Sequence, residues 1–332
     1  MQILLYFFYY ILIYWLFSGF KKNFLLWLAI LSPVFFSFGL YELEALGRKE
    51  ILMYIFFSYN FYLFYKFKNI NLNYIYTYLS ILILILNHES VIFYFLFYLF
   101  FFAVIDKKKD LRFYVLNFLL FLTVFVPSYL IYINPHSITD NLAMCKRLLN
   151  ISNENCGMAA NYTTAHLSRH ISEVSWRLVD IKNYTLIFIF GFTSIFLLIY
   201  KSELINKIFF YKFNLLVILI LCSLPGFLLF YIAVDSGRWT SMLYHMLAIS
   251  YFGMVKLGFI NINPSLYFKF INFDNIKNNF LFYFLIFFLC FGWSPKAVYH
   301  ESFGTFPAYR MIVKTPKFFD NFKQPEHFFN KF

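Results

Sequence analysis

The sequence is poor in charge. Only 13% of its 332 residues are Asp, Glu, Lys or Arg, well below the roughly 25% of an average soluble domain. Hydrophobic residues make up 61% of the chain and aromatic residues 25%. A soluble core cannot absorb that much apolar surface, so the composition excludes an ordinary soluble domain and indicates that a lipid bilayer is the solvent for most of the chain.

Short motifs of nucleotide and metal chemistry are also missing. The chain contains no G-x-x-x-x-G-K-[ST], G-x-G-x-x-G, C-x-x-C or H-E-x-x-H, the spacings that hold phosphates or metal ions. The sequence therefore argues against nucleotide hydrolysis and a conventional zinc site, and we expect neither a metal nor a cofactor. Its net charge of +12 does not indicate nucleic-acid binding, because no basic tract is longer than Lys107-Lys108-Lys109.

What the sequence has instead is a succession of apolar blocks, many of them close to the roughly 20 residues that cross a bilayer. They run from Ile3 to Phe20, Phe24 to Leu40, Ile51 to Phe64, Tyr74 to Leu86, Val91 to Val104, Phe113 to Ile133, Tyr184 to Tyr200, Phe209 to Val234, Met242 to Val255 and Phe280 to Trp293. The first block lacks a basic start and an A-x-A cleavage site, so we interpret it as a retained span. The sequence predicts an all-α fold, a polytopic bundle of about ten transmembrane helices.

Lysines mark every second connection between these blocks. They occur at 21–22, 66–68, 107–109, 201–207 and 256–277, and positive residues favour the cytoplasmic side of a membrane. The remaining connections then face outward. This predicts N-terminal helices in 1–134, an extracytoplasmic loop in 135–183, C-terminal helices in 184–293 and an extracytoplasmic tail in 294–332. Both termini would lie outside a bacterial inner (plasma) membrane.

The long outer loop carries several polar features. Cys145 and Cys156 could pair as a disulfide in an oxidising compartment or remain free thiols. Segment 161–181 could form a short amphipathic helix on the membrane. Arg169 and His170 in that segment are candidate substrate contacts, with a solvated charged face as the alternative reading.

Ionisable residues beside hydrocarbon are expensive and often functional, and two short segments carry them. Arg48 and Glu50 lie directly before the third block. The arginine could bind phosphate oxygens or form a salt bridge with a glutamate. His88 and Glu89 separate two apolar blocks, either deep inside one long helix or at a tight hairpin on the outer surface. A histidine beside a carboxylate can serve as a general base, although a polar turn capping two helices is the alternative.

A third segment, Asp235-Ser-Gly-Arg-Trp239, precedes another apolar block. Asp or Ser before a helix is an N-cap pattern, and helical spacing places Arg238, Ser241 and His245 on one face. A positive helix end with a guanidinium suits an anion such as a lipid-linked diphosphate. The alternative is an interface anchor formed by Arg238 and Trp239.

With its hydropathy, long outer loop and outward elements G-R-K-E (47–50), H-E (88–89) and D-S-G-R-W (235–239), the chain resembles the Wzy and EpsG type oligosaccharide polymerases of bacterial surface-polysaccharide assembly. The resemblance implies an O-antigen or capsule polymerase, which transfers a glycan from undecaprenyl diphosphate to an acceptor sugar hydroxyl at the outer face of the membrane. Expected partners are the lipid-linked oligosaccharide, membrane lipid and other polysaccharide-assembly proteins. Expected catalytic residues are His88, Glu89 and Asp235, and expected substrate contacts are Arg48, Glu50, Arg238, His245, Arg169 and His170.

Two other functions compete with this expectation. In GT-C type lipid-phosphate-sugar glycosyltransferases, acidic residues are typical of the first outer loop, whereas Glu42 and Glu44 follow the second predicted span. A transporter or flippase of a lipid-linked glycan would need charged residues along a central path on both faces. The charged candidates here gather on one face, which favours an outward binding or catalytic site.

Overall fold

The chain folds into packed helices that meet at short turns. The computed structural model describes residues 2–18, 20, 24–35, 49–134, 143, 178–205, 214–232, 236–262, 267–268, 271–272, 280, 283–284, 287–288, 294–295 and 303–304. Its main helices are α1 (Gln2–Phe17), α2 (Phe24–Ile30), α3 (Glu50–Phe67), α4 (Ile70–Asn87), α5 (Phe95–Ile105), α6 (Leu111–Ile133), α7 (Leu178–Tyr200), α8 (Leu215–Phe227), α9 (Leu229–Ile232) and α10 (Ser236–Lys256). A 3₁₀ helix, Glu89–Tyr94, precedes α5.

Local capping residues explain where several of these helices begin and end. Lys68 adopts a left-handed conformation with φ of 51° and ends α3, and the side chain of Asn69 then caps α4 by accepting from the Leu72 amide. The Asp110 side chain accepts from the amide of Phe113 and starts α6. Asn and Asp are preferred N-cap residues because their side chains satisfy amides that the first helical turn leaves open.

Helix α10 lies at the centre of the bundle, in contact with α1, α3, α5, α7 and α8. Almost every residue from Trp239 to Met254 is buried, including the polar Thr240, Ser241, His245 and Ser250. Gly253 lets α10 and α3 pack closely, because a Cβ at this position would overlap the ring of Phe61 on α3. A helix surrounded by protein rather than lipid can carry such polar groups, which find partners on neighbouring helices.

Helix α6 shows the opposite pattern. Its only buried side chains are Phe113, Leu120 and Val124, one narrow stripe, while apolar residues such as Phe118 (60% exposed) and Tyr129 (62% exposed) face outward. Three described helices are long and apolar enough to cross a membrane: Ile70–Asn87, Leu111–Ile133 and Leu215–Ile232. Shorter apolar helices cover Leu4–Phe17, Ser90–Ile105 and Tyr184–Tyr200.

One pair of short strands brings two distant turns of the chain together. Strand β1 (Ser202–Leu204) pairs antiparallel with β2 (Ile260–Ile262). Two-residue pairs also occur, β3 (Tyr267–Phe268) with β4 (Ile271–Asn272), and β5 (Ser294–Pro295) with β6 (Phe303–Gly304). The sequence did not predict these strands, because a strand of two or three residues is too short to show the alternation of apolar and polar residues that indicates a strand.

The helix ends separate into two groups. At what we call the lysine end, Lys256 Nζ donates to the Ser18 carbonyl at 2.5 Å, and the ring of Phe64 lies 6.1 Å from that of Phe259. At the opposite end, which we call the Glu50 end, α3 and α10 begin and α4 terminates. This grouping agrees with the alternation of lysine-rich and lysine-poor connections in the sequence.

The predicted helical fold is confirmed for the described residues, whereas a bundle of about ten spans remains a prediction. Apolar blocks located the helices but misplaced some of their ends. Helix α10 begins at Ser236, six residues before the apolar block that starts at Met242, and the N-cap pattern of Asp235 and Ser236 indicates this earlier start. Most of the tail 294–332, of the outer loop 135–183 and of the tenth block lies outside the described residues.

Candidate functional site

Glu50 is the first residue of α3 and is only 5% exposed. A carboxylate in the first turn of a helix is stabilised by the positive end of the helix dipole. Its neighbour Lys49 donates from Nζ to the backbone carbonyl of Asn87 at 3.3 Å, which joins the start of α3 to the end of α4. Glu50 is thereby held beside the turn that contains His88.

His88 lies at the junction between α4 and the 3₁₀ helix. Its backbone is extended, with φ of −159° and ψ of 109°, so the chain turns at this residue rather than continuing as one long helix. The ring of Tyr74 near the start of α4 stacks 3.8 Å from that of Phe102 near the end of α5, as expected for an antiparallel hairpin. Of the two interpretations of this segment, the hairpin is confirmed.

Arg238 lies in the first turn of α10 and completes a three-residue cluster. Its Nε donates to Glu50 Oε1, and its Nη2 lies 2.6 Å from His88 Nε2. His88 Nε2 is 3.2 Å from the same carboxylate oxygen. The Glu50–His88–Arg238 cluster therefore joins three turns of the chain, since His88 follows Glu50 by 38 positions and Arg238 follows His88 by 150 positions.

The three partners of His88 make different demands on its ring protons. The Ser90 amide is 3.3 Å from Nδ1 and donates to it. The contact of Nε2 with Glu50 Oε1 requires a proton on Nε2, whereas the contact with Arg238 Nη2, which can only donate, requires a lone pair there. No single tautomer of His88 satisfies all three contacts, and the imidazole and the guanidinium share one carboxylate oxygen of Glu50.

The surroundings of Glu50 favour its ionised form. Burial by itself raises the pKa of this carboxyl group, but the hydrogen bond from His88 and the positive charge of Arg238 outweigh burial and hold the pKa well below its ordinary value. Glu50 is therefore a carboxylate at neutral pH. It can accept hydrogen bonds through both oxygens.

One of those oxygens is unused among the described residues. Glu50 Oε2 is buried and has no hydrogen-bond partner there, and the same holds for Ser90 Oγ and Tyr94 Oη. Buried polar atoms without partners are costly in a native protein. Tyr94 is close enough to interact electrostatically with Glu50 and Arg238, so the cluster lies beside a second buried polar group that has no hydrogen-bond partner among the described residues.

His245 lies deeper along α10, two helical turns beyond Arg238. Its ring stacks on Tyr54 at a centroid distance of 4.2 Å, and its Nδ1 donates to the Ser241 carbonyl at 2.7 Å. The predicted common face of Ser241 and His245 is confirmed by the 3.3 Å contact between their side chains. No hydrogen bond joins His245 to the Glu50–His88–Arg238 cluster within the described part of the chain; Tyr54, one turn after Glu50, lies between them.

The other predicted site residues lie beyond what the structure describes. Arg48, Arg169, His170 and Asp235 are outside the described residues, as are Cys145 and Cys156. Glu89 is described only as the first backbone position of the 3₁₀ helix. Sequence reasoning missed Ser90, Tyr54 and Tyr94, because aromatic residues are so frequent in this chain that no single tyrosine stands out.

No three His, Cys, Asp or Glu side chains in the described ranges come close enough to hold a metal ion together. The cluster instead offers one carboxylate, one imidazole and one guanidinium, groups suited to hydroxyl and phosphate recognition. Comparison of the chain with protein-family models, curated proteins and solved structures gives no match.

Proposed function

We propose that the chain is a membrane glycan polymerase, which joins oligosaccharides carried on undecaprenyl diphosphate at the outer face of a bacterial inner membrane. The observation that supports this most is the Glu50–His88–Arg238 cluster at one end of an apolar helix bundle. It combines a cation suited to a phosphate leaving group with a buried carboxylate oxygen suited to a sugar hydroxyl.

In this mechanism Glu50 Oε2 is the general base, and because its pKa is low it takes the proton late, as positive charge develops on the attacking hydroxyl oxygen. The acceptor hydroxyl attacks the anomeric carbon of the donor glycan, its proton passes to Glu50 Oε2, and the bond between that carbon and the diphosphate oxygen breaks with its electron pair on the leaving diphosphate. This revises the assignment made from the sequence, which gave deprotonation to His88 or Glu89. Because His88 Nδ1 faces the Ser90 amide and Nε2 faces both Glu50 and Arg238, His88 is assigned to orienting Glu50 instead.

Arg238 has the second role. Its guanidinium has five donors in a planar fork, so it can contact Glu50 and a phosphate oxygen together and offset charge that develops on the leaving diphosphate. Arg48, adjacent to Lys49 in the chain, is proposed as a second diphosphate contact, and Tyr94 as a contact to the acceptor sugar.

The proposal includes the number of spans and the orientation of the chain in the membrane. About ten spans cross it, the Glu50 end faces outward, and the lysine end faces the cytoplasm with both termini outside. Support comes from the exposed apolar surface of α6 and from lysines at the cytoplasmic ends of α3, α5, α7 and α10.

Cysteine labelling tests this orientation. In a variant whose four native cysteines are replaced, we expect Asn87→Cys to react in intact cells with a membrane-impermeant maleimide, because Asn87 is exposed at the Glu50 end. Lys107→Cys, exposed at the lysine end, should react only after the membrane is opened. The reverse pattern contradicts the orientation.

The activity is tested with the full chain reconstituted in liposomes. A polyprenyl-diphosphate-linked oligosaccharide is supplied as both donor and acceptor, and products are separated by length on gels. We expect a ladder of products longer than the substrate. A variant in which Arg238→Ala removes the guanidinium should lose the ladder.

Two outcomes of the same assay contradict a polymerase. Addition of one sugar from a polyprenyl-monophosphate donor, without chain growth from the diphosphate donor, would identify a GT-C type glycosyltransferase. Movement of labelled lipid-linked glycan between leaflets with no new glycosidic bond would identify a flippase.

A further inference from the structure

A cavity of about 440 Å³ lies between α1 and α2, toward the lysine end of the bundle. Its walls are almost entirely apolar and include Ile13, Phe17, Leu26, Ile30 and Leu31. This volume is within the range of small-ligand sites in proteins, roughly 300 to 1,000 Å³. Hydrocarbon is the ligand that such walls favour.

Besides the amphipathic rings of Tyr10, Tyr14 and Trp27, the lining includes one small polar residue, Ser18, at the end of α1. Lys256, the last residue of α10, donates from Nζ to the carbonyl oxygen of Ser18 at 2.5 Å and to its hydroxyl oxygen at 2.9 Å. The cavity therefore has a polar corner with an ammonium group attached to it.

The charge of Lys256 is not balanced by a carboxylate among the described residues, where ion pairs join only Glu50 to His88 and to Arg238. Ser18 offers two neutral acceptors, and an ammonium has three donors. The ammonium also lies 5.7 Å from the centre of the Trp15 ring. None of these partners carries a negative charge, which an anion at this corner would supply. Partly buried cations without such compensation are costly.

We propose that this cavity is a binding site for an anionic phospholipid, with one acyl chain between α1 and α2 and the headgroup phosphate on Lys256. Charge complementarity selects this occupant, because the lysine end also carries Lys66, Lys68 and Lys107. Basic pockets between membrane helices attract anionic headgroups. The site is independent of the Glu50–His88–Arg238 cluster at the opposite end of the helices.

Native mass spectrometry of the full chain in detergent tests the proposal with phosphatidylglycerol and phosphatidylcholine that have the same acyl chains. We expect phosphatidylglycerol to be retained preferentially. Lys256→Gln should weaken its binding about five-fold, since one lysine near a membrane surface is worth about 1 kcal/mol, and Lys256→Arg should retain it. Lys201→Gln, which removes a cation at the same end without touching Ser18, is the matched control.

A cavity-filling variant tests the acyl chain separately. Ile30→Trp, in the cavity wall, should abolish retention, whereas Ile83→Trp, on the exposed face of α4, should not. A thermal unfolding midpoint near the wild-type value shows that each variant is folded. Equal retention of both lipids, unchanged binding by folded Lys256→Gln, or displacement of the lipid by glycerol phosphate alone would overturn the proposal.

Discussion

Glu50→Gln is expected to reduce glycan polymerisation by a factor of at least about 100, because general-base catalysis contributes roughly 10² to 10⁴ in rate. Glutamine preserves the size of the side chain and can still accept from Arg238 through its amide oxygen. It cannot take a proton from the acceptor hydroxyl. The initial rate of chain growth by reconstituted protein measures the effect.

The matched control is Glu203→Gln, which neutralises an exposed carboxylate in β1 at the lysine end and should leave the rate within about two-fold. Activity of Glu50→Gln within two-fold of wild type would refute the assignment of the base. His88→Asn separates the two candidates. If His88 only orients Glu50, its loss should cost less than that of Glu50, whereas a larger loss would return the role of base to His88.

The sequence predicted part of the arrangement of this site, namely that its residues lie at the same end of the helices. Lysine-rich connections alternate with lysine-poor ones, and that alternation alone placed Glu50, His88 and Arg238 at the same end of the helices. The reason is physical: each span reverses the chain, so every second connection shares a side. Hydropathy does not indicate how deep each side chain lies in the bundle, so it could not show that these three side chains contact one another.

Helix α10 illustrates the missing information. Its apolar block begins at Met242, whereas the N-cap pattern of Asp235 and Ser236 indicated an earlier start that places Arg238 on the helix, on the same face as Ser241 and His245. The helix begins at Ser236 and carries Arg238 in its first turn, because neighbouring helices surround it and its polar residues are partnered by protein rather than exposed to lipid. Hydropathy scales assume contact with lipid, so they misplace the ends of a central helix.

The chemistry of His88 was also beyond the sequence. A histidine followed by a glutamate indicates a base, but its role depends on the groups that face its two ring nitrogens. Here Nδ1 faces the backbone amide of Ser90 and Nε2 faces Glu50 and Arg238, because the chain turns into a 3₁₀ helix at Glu89. A hairpin geometry of this kind has no signature in residue type.

Arg238→Met is expected to destabilise the protein by about 3 to 5 kcal/mol, the usual cost of removing one partner from a buried ion pair. The cost arises because Glu50, 5% exposed, keeps its negative charge and loses its main counter-charge. The thermal unfolding midpoint in detergent, followed by intrinsic fluorescence, reports the change. Lys66→Met, which removes an exposed cation, should leave the midpoint nearly unchanged.

A second substitution should restore much of that stability. Glu50→Gln combined with Arg238→Met removes both charges, and replacing a whole buried pair by neutral groups is often close to neutral in energy. We therefore expect the double variant to unfold at a higher temperature than Arg238→Met alone, while remaining inactive in the polymerisation assay. Equal midpoints for the two variants would show that Glu50 carries no buried charge. A stable but inactive double variant separates the two roles of the cluster, since it shows that Glu50 and Arg238 are required for the reaction beyond holding α3 and α10 together.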